Sequence, residues 1–170
     1  MNKGLIHFVH GKESGPAGAK IAALAAVAWQ QGWDVASLDY THTADPALRL
    51  EQLRKACSVL DRPLLLVGSS MGGWVAAEAS AWLDAHGVFL LAPAVYMPDY
   101  PTQAPALLAT HAEIVHGWDD DLIPCEHAIR YARLRGCTLH LVQGDHRLNH
   151  RIPLLRELFG AFLSRCSASA

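Results

Sequence analysis

The fold of this chain is decided by residues 64–73, which read Leu64-Leu65-Leu66-Val67-Gly68-Ser69-Ser70-Met71-Gly72-Gly73. An apolar strand leads into the pattern Gly-x-Ser-x-Gly, and an alanine-rich helical segment follows. The glycines two positions before and after Ser70 let strand and helix approach closely enough to form a sharp turn. Because such a turn holds the hydroxyl outward, the stretch predicts that Ser70 is a nucleophile. The alternative is an ordinary helix N-cap, formed by Ser70 or by Ser69.

Outward from this turn, apolar runs alternate with helix-like segments along the whole sequence. Strands are predicted at residues 4–9, 34–38, 64–68, 87–91, 112–116 and 138–142, and helices at 17–31, 46–60, 71–84, 124–134 and 153–164. The strands are continuous Leu, Val and Ile runs, as expected when helices cover both faces of a sheet. The sequence therefore predicts an α/β fold with a doubly wound, mostly parallel six-stranded sheet flanked by helices.

Composition narrows the class of protein. The 170 residues are 51% hydrophobic and 18% charged, with a net charge of −2. This length predicts a single domain over residues 1–170, and the charge gives no reason to expect nucleic acid or an anionic membrane as partner.

No secretion signal is visible, and the longest apolar run, residues 21–29, is too short for a membrane span. The four cysteines show no CxxC spacing, so we expect reduced thiols and a cytoplasmic location. The oligomeric state is left open.

A base for the serine is predicted in the loop after the last strand. His146 lies there, in Gln143-Gly144-Asp145-His146. An imidazole has a suitable pKa for taking the proton of a serine hydroxyl. His150 is the alternative base, although it lies nearer the final helix and is expected to form its first turn.

The acid of a catalytic triad is predicted after the preceding strand, in Gly117-Trp118-Asp119-Asp120-Asp121-Leu122-Ile123-Pro124. Its task is to hold the imidazole tautomer and to stabilise the imidazolium as it forms. The spacing Gly-x-x-Asp-x-x-Ile-Pro favours Asp120. Asp119 stays the alternative, and Asp121 is expected to help start the helix at Pro124.

The loop after the first strand, His10-Gly11-Lys12-Glu13-Ser14-Gly15-Pro16, is predicted to help bind an oxyanion. Tetrahedral oxyanions need preorganised N–H donors. The main-chain N–H of Met71 is expected to supply one donor and that of Lys12 the second. The Lys12 side chain is expected to face solvent, and His10 to anchor the loop through hydrogen bonds.

A pocket for the substrate is predicted from aromatic and apolar residues in loops at the strand ends. The irregular stretch 92–105 is the longest loop in the sequence and is expected to cover the site. The predicted lining residues are Tyr96, Met97, Tyr100 and Trp118.

The order Ser70, Asp120, His146, each after a separate strand, resembles the α/β-hydrolase superfamily across nearly the full sequence. The motifs that carry the resemblance are His10-Gly11, the turn around Ser70, Gly117-Trp118-Asp119-Asp120 with Ile123-Pro124, and Gly144-Asp145-His146. The opening of the chain is similar to that of small bacterial esterases described as YqiA-like. Compared with larger members, this sequence begins at the predicted first strand, so neither a leading antiparallel hairpin nor an inserted helical lid is expected.

The resemblance implies a serine hydrolase that cleaves a small carboxylic ester through an acyl-enzyme. It implies no metal and no organic cofactor, and the spread of His and Cys residues shows no zinc-like spacing. A thioesterase, an amidase or an acyltransferase with the same triad is an alternative. A non-catalytic interaction protein is a further alternative, because a fold alone does not prove a function.

Overall fold

The sheet of this protein contains six strands, and every hydrogen-bonded pair of neighbours runs parallel. The structure is a computed structural model that describes residues 2–168. The strands are β1 (Leu5–Val9), β2 (Asp34–Ser37), β3 (Leu64–Ser69), β4 (Gly87–Leu91), β5 (His111–Gly117) and β6 (Thr138–Val142). Their order across the sheet is β2-β1-β3-β4-β5-β6. The predicted doubly wound α/β sheet is confirmed, and all of its pairs are parallel.

Helices cover both faces of the sheet. They are α1 (Ala19–Gln30), α2 (Pro46–Cys57), α3 (Met71–Ser80), α4 (Cys125–Arg135) and α5 (Ile152–Ala168), with a short 3₁₀ turn at Asn149–Arg151 before the last. Helices α1 and α5 pack on one face of the sheet, and α2, α3 and α4 pack on the other. No helix among residues 2–168 combines the length and the apolar character needed to cross a bilayer.

The apolar runs of the strands are explained by burial on both faces. Along β1, Ile6 and Phe8 contact the α1/α5 side, whereas Leu5 and Val9 contact the α2/α3/α4 side. All four are nearly inaccessible to solvent. A strand with two buried faces gains from an apolar residue at every position, which is why no polar alternation appears in the sequence.

Helix α3 ends earlier than its alanine-rich composition suggests. The prediction extends to residue 84, but the structure ends the helix at Ser80. The Ala85 N–H donates to the Ser80 carbonyl, and Asp84 takes a left-handed conformation with φ of 49°. This turn leads the chain directly into β4, so tertiary packing shortens a segment of high helix propensity.

Candidate active site

Ser70 lies in a strained turn between β3 and α3. Its backbone angles are φ 55° and ψ −119°, in a region that non-glycine residues rarely occupy. A Cβ atom on Gly72 would lie 2.0 Å from the Val9 carbonyl oxygen, and one on Gly68 would lie 2.2 Å from the Gly72 carbonyl oxygen. Only glycine fits at either position, which explains the spacing seen in the sequence. Ser70 occupies the N-cap position of α3, yet its side chain makes no capping hydrogen bond.

The imidazole of His146 joins this serine to a carboxylate. His146 Nε2 lies 3.1 Å from Ser70 Oγ, and His146 Nδ1 lies 2.8 Å from Asp120 Oδ2. Because the carboxylate can only accept, the proton is assigned to Nδ1, which leaves Nε2 as the acceptor for the serine hydroxyl. The rival base His150 is exposed and lies in the 3₁₀ turn before α5. The structure thus brings together Ser70, Asp120 and His146.

Of the three consecutive aspartates, only Asp120 is buried. Its Oδ1 accepts hydrogen bonds from the N–H groups of Leu122, at 3.0 Å, and Ile123, at 2.7 Å. Asp119 and Asp121 are exposed. Helix α4 begins after Pro124 without any side-chain capping hydrogen bond, so Asp121 does not cap it.

A second imidazole contacts the same carboxylate. The fully buried His116, in β5, places Nε2 3.2 Å from Asp120 Oδ2 and 2.9 Å from the Ile123 carbonyl oxygen. Both neighbours are acceptors, so Nε2 carries the proton. Burial alone would raise the pKa of Asp120. Hydrogen bonds from the two imidazoles and from the Ile123 N–H outweigh burial and hold that pKa below the usual range of an aspartate.

Sequence reasoning did not identify His116 as part of this group. In the sequence it appears as one polar residue at the end of an apolar strand, next to the glycine turn. A signal was nevertheless present, because a histidine in a strand buried on both faces needs a polar partner.

The two expected oxyanion donors stand beside the serine. Within residues 2–168, neither the Met71 N–H nor the Lys12 N–H donates to another group of the protein. A Cβ atom on Gly11 would lie 3.4 Å from Ser70 Cβ, so the loop after β1 runs directly alongside the serine. The Lys12 side chain is exposed, as expected. Neither N–H group is therefore used by the fold, as an oxyanion donor would require.

His10 anchors the loop after β1, as the sequence predicts. Its Nε2 accepts from the Tyr40 N–H at 2.9 Å, and its Nδ1 lies 2.8 Å from the Gly11 carbonyl oxygen. Because Nε2 is an acceptor, the proton is assigned to Nδ1. Burial lowers the pKa of His10, partly offset by this bond to Gly11, which keeps the ring in the neutral form that the two contacts require.

A cavity of about 530 Å³ opens onto Ser70 and His146. Of the four residues predicted to line it, Met97 and Tyr100 do so, but Tyr96 and Trp118 do not. The side chain of Trp118 is exposed. Leu122 and Ile123, from the loop that carries Asp120, and Ile21 and Leu24, from α1, complete much of the apolar lining.

Tyr96 faces helix α4 instead of the cavity. Its ring packs edge-on against His127 and Tyr131, and the Arg130 guanidinium lies 4.0 Å from the ring centroid. The backbone of Tyr96 is left-handed, with φ of 54°. Such a conformation is unusual for a tyrosine and reverses the direction of its side chain, which the composition of a loop cannot reveal.

Metal ligands are not gathered at this site. Across residues 2–168, no group of three or more His, Cys, Asp or Glu side chains could hold a metal ion.

Known proteins resemble this chain in both sequence and structure. Residues 5–104, which include Ser70, match the Uncharacterised protein family UPF0227. The chain belongs to this family. A crystal structure of a protein from Xanthomonas campestris pv. campestris, named as a candidate hydrolase of the α/β superfamily, is 32% identical to this UPF0227 member. It superposes with a TM-score of 0.89 over 97% of this chain and 99% of that chain.

More distant structures share the fold of this UPF0227 member. Est1E from Butyrivibrio proteoclasticus is 17% identical, with a TM-score of 0.81 over 98% of this chain and 89% of its own. A lidless α/β serine hydrolase from Xanthomonas campestris is 18% identical, with a TM-score of 0.70 over 97% and 83%. No curated protein sequence matches the chain. The resemblance to the α/β-hydrolase superfamily, in its small YqiA-like form, is confirmed, and an enzyme of the hydrolase type is supported.

Proposed function

We propose that this protein is a serine hydrolase that cleaves a small carboxylic ester through an acyl-enzyme on Ser70. The observation that carries the proposal is the continuous series of contacts from Ser70 Oγ to His146, at 3.1 Å, and from His146 to Asp120, at 2.8 Å. Nucleophile, base and orienting carboxylate are thereby within hydrogen-bond distance before any substrate is bound.

In the first half of the reaction, Ser70 Oγ attacks the ester carbonyl carbon and His146 Nε2 takes the hydroxyl proton. Negative charge then develops on the carbonyl oxygen, where the N–H groups of Met71 and Lys12 would stabilise it. His146 returns the proton to the leaving alcohol as the ester bond breaks. Asp120 remains ionised throughout and stabilises the imidazolium, consistent with its lowered pKa.

In the second half, water attacks the acyl-enzyme on the same path. His146 takes one proton from the water as the new bond to the acyl carbon forms, and delivers it to Ser70 Oγ as the bond between the acyl carbon and Oγ breaks. The products are a carboxylic acid and the regenerated serine.

The size of the cavity supports a small substrate. About 530 Å³ lies within the range of ordinary small-molecule sites. The segment 92–110 between β4 and β5 contains no helix, so it forms no helical cover over the cavity. Met97 and Tyr100 would contact the acyl or alcohol group.

A fluorophosphonate probe tests the proposal directly, because it reacts covalently with an activated serine. We expect labelling of the wild-type protein and its loss in Ser70→Ala. Ser69→Ala is the matched control, since it removes the neighbouring hydroxyl without removing the nucleophile. A folded wild-type protein that never labels would instead favour a non-catalytic interaction protein on this fold.

Ser70→Ala and His146→Ala should each lower kcat by roughly 10⁴–10⁶, and the double variant should be little worse, because the triad acts as a unit. Steady-state turnover of a short-chain p-nitrophenyl ester measures the effect. If the fold-decreases in kcat of the two single variants multiplied in the double variant, Ser70 and His146 would act independently, which would contradict the proposal.

The type of bond is tested with ester, thioester and amide substrates that carry the same acyl group. We expect the ester to give the highest kcat/KM. Faster thioester or amide turnover would reassign the enzyme to those classes. Transfer of the acyl group to an added alcohol in preference to water would identify an acyltransferase.

A further inference from the structure

A buried arginine lies beneath the loop that carries the expected Lys12 oxyanion donor. Arg49, in α2, is 1% exposed. Its guanidinium donates from Nε to the Thr43 carbonyl at 2.8 Å, and from Nη1 to the carbonyls of His10 at 3.0 Å and Gly11 at 3.2 Å. Within residues 2–168 it forms no ion pair with a carboxylate. The guanidinium also lies 5.7 Å from the centroid of the Tyr40 ring. A buried cation whose hydrogen-bond acceptors are main-chain carbonyls and not a carboxylate is uncommon, because removing a charge from water is costly.

The Gly11 carbonyl is held from two directions. It accepts from Arg49 Nη1 and also faces His10 Nδ1 at 2.8 Å. Since no peptide bond in the described chain is cis, the Lys12 N–H points opposite to the Gly11 carbonyl in the same peptide unit. Whatever fixes the direction of that carbonyl therefore also fixes the direction of the Lys12 N–H.

Lys12 lines the same cavity as Ser70, and a Cβ atom on Gly11 would lie 3.4 Å from Ser70 Cβ. The Lys12 N–H has no acceptor in the described part of the protein. Arg49 does not line the cavity itself. Its action on the site therefore passes through the main chain of the loop.

We propose that Arg49 is a positioning residue of the oxyanion hole: it fixes the Gly11–Lys12 peptide so that the Lys12 N–H faces the developing oxyanion. The inference rests on the proposed function. Its buried positive charge would add a favourable potential near the same oxygen, since the surroundings screen it weakly. The guanidinium donates from two nitrogens held in one plane, to Thr43 from Nε and to the loop carbonyls from Nη1. The single nitrogen of an ammonium does not reproduce this geometry.

The test compares Arg49→Met, Arg49→Lys and the control Arg54→Met. Arg54 lies on the same helix but is exposed and stacks on Trp82, at 4.2 Å from the ring centroid. Rates are expressed per active site titrated with the fluorophosphonate probe, which removes any unfolded fraction. We measure kcat and KM for a short-chain ester, together with the affinity for a trifluoromethyl ketone that forms a tetrahedral adduct with Ser70.

Arg49→Met should lower kcat roughly 10- to 100-fold with little change in KM, because a misdirected donor is lost only in the transition state. Affinity for the trifluoromethyl ketone should fall by the same factor. Arg49→Lys should show a smaller loss of the same kind, and Arg54→Met should match the wild type. A crystal structure of Arg49→Met should show the Gly11–Lys12 peptide rotated.

Wild-type kcat and ketone affinity in Arg49→Met would overturn the inference while leaving the proposed function intact. The same holds for a loss confined to KM. If Arg49→Met does not fold, Arg49→Lys decides in the same way. A wild-type protein that neither turns over esters nor labels would overturn the proposed function, and the inference with it.

Discussion

At the scale of single residues, the carboxylate of Asp120 has a different kind of partner on each oxygen. Oδ1 accepts from two main-chain N–H groups of its own loop, whereas Oδ2 accepts from the imidazoles of His116 and His146. Every group that faces the two carboxylate oxygens is a hydrogen-bond donor. The two oxygens of an aspartate accept all of these bonds, whereas an asparagine has a single side-chain oxygen and can accept on only one side.

Asp120→Asn should therefore lower kcat by about 10⁴, because an amide NH₂ facing His146 would favour the wrong imidazole tautomer. Asp119→Asn is the matched control, since the neighbouring aspartate is exposed and should leave turnover near the wild-type value. Steady-state kinetics on one ester measures both. Full activity in Asp120→Asn with loss in Asp119→Asn would reassign the acid.

At the scale of elements, the loops that carry Asp120 and His146 are held together where β5 and β6 end. The Trp118 N–H donates to the Val142 carbonyl at 2.8 Å, and the Asp119 N–H donates to the Gly144 carbonyl at 3.0 Å. A Cβ atom on Gly117 would lie 2.1 Å from the Gly144 carbonyl oxygen. The close contact between the two loops thus requires a residue without a side chain at position 117.

Gly117→Ala should separate these loops, lowering kcat and reducing the free energy of unfolding by about 2–3 kcal/mol. Gly160→Ala, in α5, is the control, because Gly160 does not line the cavity and a Cβ atom there would make ordinary contacts, the nearest at 3.4 Å. Urea unfolding and ester turnover are measured on both variants. Equal stability and activity in the two would show that the loops can shift at little cost.

At the scale of the whole molecule, folding buries an imidazole between the sheet and helix α2. His7, in β1, is buried against the Tyr40 hydroxyl, at 3.5 Å, and Cys57 Sγ, at 3.7 Å. Neither partner carries a charge that would compensate an imidazolium. Burial accordingly lowers the pKa of His7 from 6.5 to about 4.

Because the native state keeps His7 neutral while the unfolded chain takes up a proton, stability should fall as the pH falls. The contribution is fully present above pH 6.5 and decreases by about 3 kcal/mol toward pH 4. Urea unfolding between pH 7.5 and 4.5 should therefore show a flatter pH dependence for His7→Phe than for the wild type. Parallel curves would mean that this imidazole does not set the acid sensitivity.

The sequence was sufficient for features that depend on local pattern. Strands that are buried on both faces are recognisable in the sequence as continuous apolar runs. Pro46 occupies the first position of α2, where proline is expected. Arg49 could not be found in this way, because it lies in a polar helix whose charged residues look alike. Two of its three acceptors, the carbonyls of His10 and Gly11, belong to a loop that is distant in sequence and is brought close by the position of β1 in the sheet. Hydrogen bonds to main-chain carbonyls do not depend on which side chains the loop carries, so they leave no pattern in the sequence.

The candidate site draws on loops after β1, β3, β5 and β6, which lie at positions two, three, five and six across the sheet. Under the proposed function, no fragment of the chain would hold a working arrangement, since removing either flank would take away the expected Lys12 donor or the proposed base His146. The rate of ester turnover would then also report the fraction of protein in which the whole sheet is folded. In a denaturant titration, loss of catalysis should coincide with, or precede, the spectroscopic transition, and it should never lag behind it.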